Sequence, residues 1–168
     1  MKKFLSLALI AAMLLSCAVL FGSCDKAGSD DEFKLGVICL HDEDSTYDLN
    51  FINGVEKMKK VLGLSDSQVI YKKNIDESAA CTEAADDLVD QGCDIVFANS
   101  FGHESFLLQA ARECPDVQFC HATGTMAHTE GLANFHNAFA TIFEGRYLGG
   151  VAAGLKLNEM IEKGQITA

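Results

Sequence analysis

The sequence predicts an α/β fold in which a parallel sheet is sandwiched by helices, preceded by a signal peptide. Short apolar runs with polar flanks recur along the chain, as strands buried on both faces require. Segments with helical spacing of apolar residues separate these runs, which implies right-handed crossovers. The residues following several of the runs are strongly polar, as loops at a sheet edge are.

The first run, Lys34-Leu35-Gly36-Val37-Ile38-Cys39-Leu40, is rich in branched residues and reads as a strand. A loop from His41 to Thr46 follows. Phe51, Val55, Met58 and Leu62 then recur at helical spacing, with Glu56, Lys57, Lys59 and Lys60 on the opposite face and Gly63 as the stop. Gln68–Lys72 is the second strand, and Ser78 to Gln91 the second helix, with Cys81, Ala84, Ala85 and Leu88 inward and Gly92 ending it. Asp94–Ala98 is the third strand, His103 to Glu113 the third helix, and Val117–Cys120 the fourth strand. Leu132 to Phe135 reads as a further short strand and Ala138 to Lys163 as a helix broken into by glycines. Glu144, Arg146 and Lys156 argue against a membrane span there.

The amino-terminal segment is of another kind. Lys2-Lys3, the apolar run Phe4 to Leu15 and the small residues Gly22-Ser23 before Cys24 form an export signal, too short in its apolar part to cross a bilayer. Its end resembles the bacterial lipobox, in which the cysteine thiol receives a diacylglyceryl group. Cys24 is preferred to Cys17 because the polar stretch Asp25–Glu32 follows it as a tether. The expected organisation is a signal peptide over 1–23, a tether over 24–32 and one domain over 33–168. Such a protein is exported and held on the extracytoplasmic face of the cell membrane by its lipid.

The formal charge of −11 becomes more negative once Lys2 and Lys3 leave, a surface that repels phosphate backbones and excludes nucleic acid as a partner. Of the seven cysteines, those outside the signal are odd in number. Cys39 and Cys120 lie in apolar runs, so the expectation is buried thiols without bridges. The absence of a CxxC pair disfavours structural zinc.

Ligands of open parallel sheets bind outside the carboxyl ends of the strands. The loops there supply His41-Asp42-Glu43-Asp44-Ser45-Thr46-Tyr47-Asp48, Asn99-Ser100-Phe101-Gly102-His103 and His121-Ala122-Thr123-Gly124-Thr125. Hydrogen-bonding groups beside the rings of Tyr47 and Phe101 suit a flat polar ligand held by stacking. Ser45, Asp48 and Ser100 are equally residues that cap helices. His41, His103 and His121 with the neighbouring carboxylates raise a metal receptor as an alternative, although no HxxxH or HExxH spacing supports it. Ser100 near His103 lacks the GxSxG elbow of a hydrolase. Neither a Walker loop nor GxGxxG occurs. No enzyme and no cofactor is expected.

The lipobox, the stretch Leu40-His41-Asp42-Glu43-Asp44-Ser45-Thr46-Tyr47-Asp48-Leu49-Asn50-Phe51 with Gly54, and Glu144-Gly145-Arg146-Tyr147-Leu148-Gly149-Gly150 resemble the basic membrane protein family. These are substrate-binding lipoproteins of ABC transporters related to purine-nucleoside receptors. Thr46-Tyr47-Asp48 stand where the commoner family form has Ser-Phe-Asn, which keeps the ring and changes its neighbours. The resemblance implies the first lobe of a type I periplasmic-binding-protein fold, with residues from about Phe33 to His121 in that lobe and Leu132 to Lys163 approaching the hinge. It implies capture of a nucleoside-like solute for an ABC permease, with Tyr47 or Phe101 stacking the base, Asp48 and Asn50 bonding polar edges or ribose, and His41, Ser100 and His121 lining the rim. A lobe that binds nothing and serves signalling or scaffolding is the remaining alternative.

Overall fold

The structure is a computed structural model that describes residues 32–167. The signal segment, Cys17, Cys24 and the tether up to Asp31 lie outside the described residues. The chain divides into two compact units, Met1–Asn137 and Ala138–Ala168.

Strands β1 (Leu35–Ile38), β2 (Val69–Lys72), β3 (Ile95–Ala98), β4 (Gln118–Ala122) and β5 (Phe135–Ala138) form one sheet in the order β2-β1-β3-β4-β5. The β1–β2, β1–β3 and β3–β4 ladders are parallel, with Leu35 opposite both Val69 and Ile95. The chain therefore steps outward from β1 to β2 and returns past β1 to β3. The direction of winding reverses between β1 and β3, which is where a crevice opens in sheets of this kind.

Helices α1 (Thr46–Leu62), α2 (Ala79–Asp90), α3 (Glu104–Glu113) and the short α4 (Ala127–Glu130) complete the unit. Ser45 caps α1 by accepting a hydrogen bond from the Asp48 amide at 3.3 Å, and Gly63, with φ 69°, ends it in the left-handed region. Ser78 caps α2 in the same way through the Ala80 amide. The third helix differs from expectation at its start, because Phe101–His103 form a 3₁₀ turn before α3 begins at Glu104. The last strand is also displaced, lying at Phe135–Ala138 and not Leu132–Phe135. The buried Asn134 explains the shift: its amide donates to the carbonyls of Ala111, Cys114 and Val117 and fixes the turn into β5.

Alternation along each strand divides the core between the two sheet faces. Ile38, Val96, Ala98 and Phe119 face α2 and α3 and join Cys81, Ala85, Leu88, Leu107 and Ala111 in the larger cluster. The approach is tight at β1, where a Cβ on Gly36 would lie 2.7 Å from Leu88 Cδ1. Leu35, Val37, Cys39 and Ile52 form the smaller cluster on the other face, with Val55, Met58, Ile95 and Phe97 against it. Beside α1 that face opens into an apolar groove of about 630 Å³, lined by Leu35, Phe51, Met58, Ile95, Phe97 and Cys120 among others. Cys39, Cys81 and Cys93 are buried free thiols, Cys114 is buried, and Cys120 is partly buried.

The second unit holds helix α5 (Ile142–Glu162), the element expected over 138–163. None of its residues is buried, and Phe143, Tyr147, Leu148 and Leu155 are among its exposed apolar side chains. No helix among the described residues is long and apolar enough to cross a membrane.

Candidate functional site

The loops at the carboxyl ends of β1 and β3 meet at the reversal point and are tied together by buried polar groups. Asp48, in the first turn of α1, has a side chain only 1 % exposed. Its Oδ1 accepts from Asn99 Nδ2 at 2.7 Å and from the His41 amide at 3.3 Å, and its Oδ2 accepts from His41 Nδ1 at 3.2 Å. Burial alone would raise its pKa, but the bonds from Asn99, Ser45 and His41 outweigh this and hold the carboxyl below its ordinary value. Asn99 completes the knot by accepting the Leu40 amide at 3.3 Å, and its carbonyl accepts the Tyr47 hydroxyl at 2.8 Å.

The loop after β2 joins the rim through Glu77, a residue outside the sequence-derived set. Glu77 Oε1 accepts from Ser100 Oγ at 2.6 Å and from the Gly102 amide at 2.8 Å. These bonds, the Ser100 hydroxyl foremost, keep the carboxyl below its ordinary value and therefore ionised at neutral pH. A Cβ on Gly102 would come within 2.3 Å of Glu77 Cδ, so a larger residue there would push the carboxylate out of this position. An acidic residue just after the second strand is the signal that marks Glu77, and it is masked by its neighbour Ser78, which reads as a helix cap.

The fourth loop is held from below. His121 is fully buried and donates from Nε2 to the Ser100 carbonyl at 2.6 Å, while His103, also buried, donates from Nε2 to Ile75 O at 2.9 Å. Neither histidine has a hydrogen-bond partner at Nδ1. Burial lowers the pKa of His121 and favours its neutral form, although Glu104 Oε1 stands 4.0 Å from Nδ1. Glu104 also accepts the Met126 amide at 2.7 Å and Asn137 Nδ2 at 3.0 Å. Above them Thr123 adopts φ 68°, a left-handed conformation that a β-branched residue pays for in strain.

The expected site residues thus separate by exposure. Tyr47 (47 % exposed) and Phe101 (69 %) lie at the starts of the crossovers that follow β1 and β3, the Tyr47 ring 5.0 Å from that of Phe51, and His41 is exposed. Asp48, Ser100 and His121 are at the same sheet edge but enclosed, Asp48 and Ser100 bonded to other residues and His121 bonded through Nε2 alone. Asp48 and His121 are fully buried and bonded to other residues of the protein. Asn50 is exposed but donates back to the Thr46 carbonyl at 2.8 Å and lines the apolar groove. The three histidines are each bonded within the protein: two are buried on separate carbonyls and the third is bound to Asp48. Among the described residues no group of three or more His, Cys, Asp or Glu is placed to hold a metal ion.

A five-stranded lobe with its polar rim at the winding reversal places the chain, by architecture, among α/β proteins built like periplasmic binding proteins. An ABC transporter solute-binding protein from Conexibacter woesei DSM 14684 shares the fold with a TM-score of 0.54 at 19 % identity, over 64 % of this chain and 35 % of that one. A lipoprotein fragment from Peptoclostridium difficile 630 does so with a TM-score of 0.53 at 17 % identity, over 73 % of this chain and 98 % of the fragment. The sequence profile of the ABC transporter substrate-binding proteins described as PnrA-like matches residues 38–166, and the chain belongs to that family. A purine-binding protein of Brucella abortus (strain 2308) is 25 % identical over 128 residues, or 76 % of this chain. The chain spans 35 % of the length of that relative.

Proposed function

We propose that this chain is the ligand-facing first lobe of a lipid-anchored receptor that captures nucleosides or similar small polar solutes for an ABC permease. The observation that carries the reading is the pair of exposed rings, Tyr47 and Phe101, standing at the reversal point on a frame of satisfied polar groups. A base stacks on one or both rings, while His41, Glu77 and the strained Thr123 loop offer directed bonds at its edges. Binding and release need no bond to be made or broken in the solute.

The anchor is Cys24, with residues 1–23 as the signal and 24–32 as the tether to a domain over 33–168. Family membership supports a small-molecule ligand and a permease partner, and the purine-binding relative supports the nucleoside class. Enclosure of the solute requires a second wall opposite this rim, the arrangement of hinged two-lobed receptors.

Isothermal titration of the chain, and of a full-length relative, with purine and pyrimidine nucleosides tests the reading. Heat of binding is expected, and Tyr47→Ala or Phe101→Ala should weaken affinity roughly tenfold or more, given about 1–3 kcal/mol per stacked base. Absence of heat with every nucleoside on both proteins would remove the substrate assignment.

A further inference from the structure

We infer that Glu77 is a specificity residue of this rim, a fixed hydrogen-bond acceptor that selects uncharged, donor-bearing solutes and turns away their phosphorylated forms. The inference rests on the solute-capture reading of the same site. Glu77 Oε1 is committed to Ser100 Oγ and the Gly102 amide, which orients the carboxylate on the loop that carries Phe101. Oε2 is left at an exposed position on the rim, where it accepts from ligand N–H or O–H groups.

The charge around it is of one sign. Asp42, Glu43 and Asp44 stand on the loop after β1, and Asp76 adjoins Glu77 on the loop after β2. Asp42 is held ionised chiefly by the Asn74 amide, which bonds it at 3.1 Å. Lys73 is the one lysine or arginine on the loops 41–48, 73–78, 99–103 and 123–126, and its ammonium is engaged by Glu43 and lies 5.2 Å over the Tyr71 ring. On these four loops an entering phosphate meets carboxylates with no uncommitted lysine or arginine to receive it, so this wall of the rim repels a doubly negative ligand. An uncharged nucleoside meets the same carboxylates as hydrogen-bond acceptors.

The experiment compares inosine with inosine 5′-monophosphate by titration on the full chain and its Glu77→Gln variant, at low and high salt, with thermal melts as a folding control. Gln keeps an oxygen for Ser100 and Gly102 but places an amide donor where Oε2 was. The expected result is inosine bound about tenfold or more tighter than the monophosphate, a gap that narrows with salt as screening dictates. In Glu77→Gln, inosine binding should weaken and the monophosphate gain on it, with cooperative melting kept and the melting temperature lowered by no more than a few degrees, since the carboxylate's bonds to Ser100 and Gly102 lose their charge. Equal affinity of the wild-type chain for both ligands, or a variant whose preference is the same as wild type, overturns the role of Glu77 while leaving nucleoside capture standing. No binding of either ligand by the chain overturns the role of Glu77, and silence of a full-length relative as well overturns nucleoside capture with it.

Discussion

Replacing Asp48 by Asn should unfasten the first rim loop from β3. The native carboxylate accepts from Asn99 Nδ2, the His41 amide and His41 Nδ1. Asn offers a single oxygen and sets an NH₂ against one of these donors, and the Asn99 amide lies in a fully buried position. Bonds to a charged group are worth about 1.5–3 kcal/mol each, and a buried donor left unpaired costs about 1–3 kcal/mol. Allowing for water reaching the exposed His41 side, the net loss is about 3 kcal/mol, or roughly 10 °C in melting temperature for a unit of this size. Urea denaturation at neutral pH measures it. The pH dependence adds a second signature. Because the folded pKa of Asp48 lies below its unfolded value of about 4, its contribution is complete above that value and is lost as pH falls through the folded pKa. The difference between wild type and variant should therefore shrink below about pH 4. A variant within about 0.5 kcal/mol of wild type at pH 7, the usual range for surface changes, would refute the account of the buried knot.

Leu88→Ala should cost about 3 kcal/mol in denaturant titrations, since Leu88 is fully buried against Gly36 and the site has little room to collapse; a loss below about 1 kcal/mol would contradict that packing. Burial raises the thiols of Cys39 and Cys93 to about 11 and that of Cys81 to about 12. Thiol labelling near pH 8 followed by mass spectrometry should accordingly modify Cys120, at the wall of the open groove, before those three.

The strands were readable because burial on both faces demands unbroken apolar runs, and Val37-Ile38-Cys39 or Ile95-Val96-Phe97 have few other uses. Helix α1 was readable from its spacing and its Gly63 stop. The displaced β5 was not, because what sets it is Asn134 reaching carbonyls up to 23 residues away. The same reason separates location from role at the rim. Sequence places Asp48 and His121 at the sheet edge, yet whether they face a ligand depends on Asn99, which is 51 residues from Asp48, and on the Ser100 carbonyl, which is 21 from His121. Glu77 escaped for a related cause: its partners Ser100 and Gly102 are remote in sequence, and only the folded loop brings them beneath it.

The Asp48–Asn99 knot sits directly behind Tyr47 but does not depend on the Tyr47 ring, since the hydroxyl bonds only to a backbone carbonyl. Structural duty and outward display are thus carried by neighbouring but different residues on one turn of helix. Exposed side chains such as Thr46 and Phe101 can change with the frame intact, whereas Tyr47 is tied to it through Asn99 and Phe51. The outward face of this rim can therefore vary by small surface substitutions, without first finding a new way to fold.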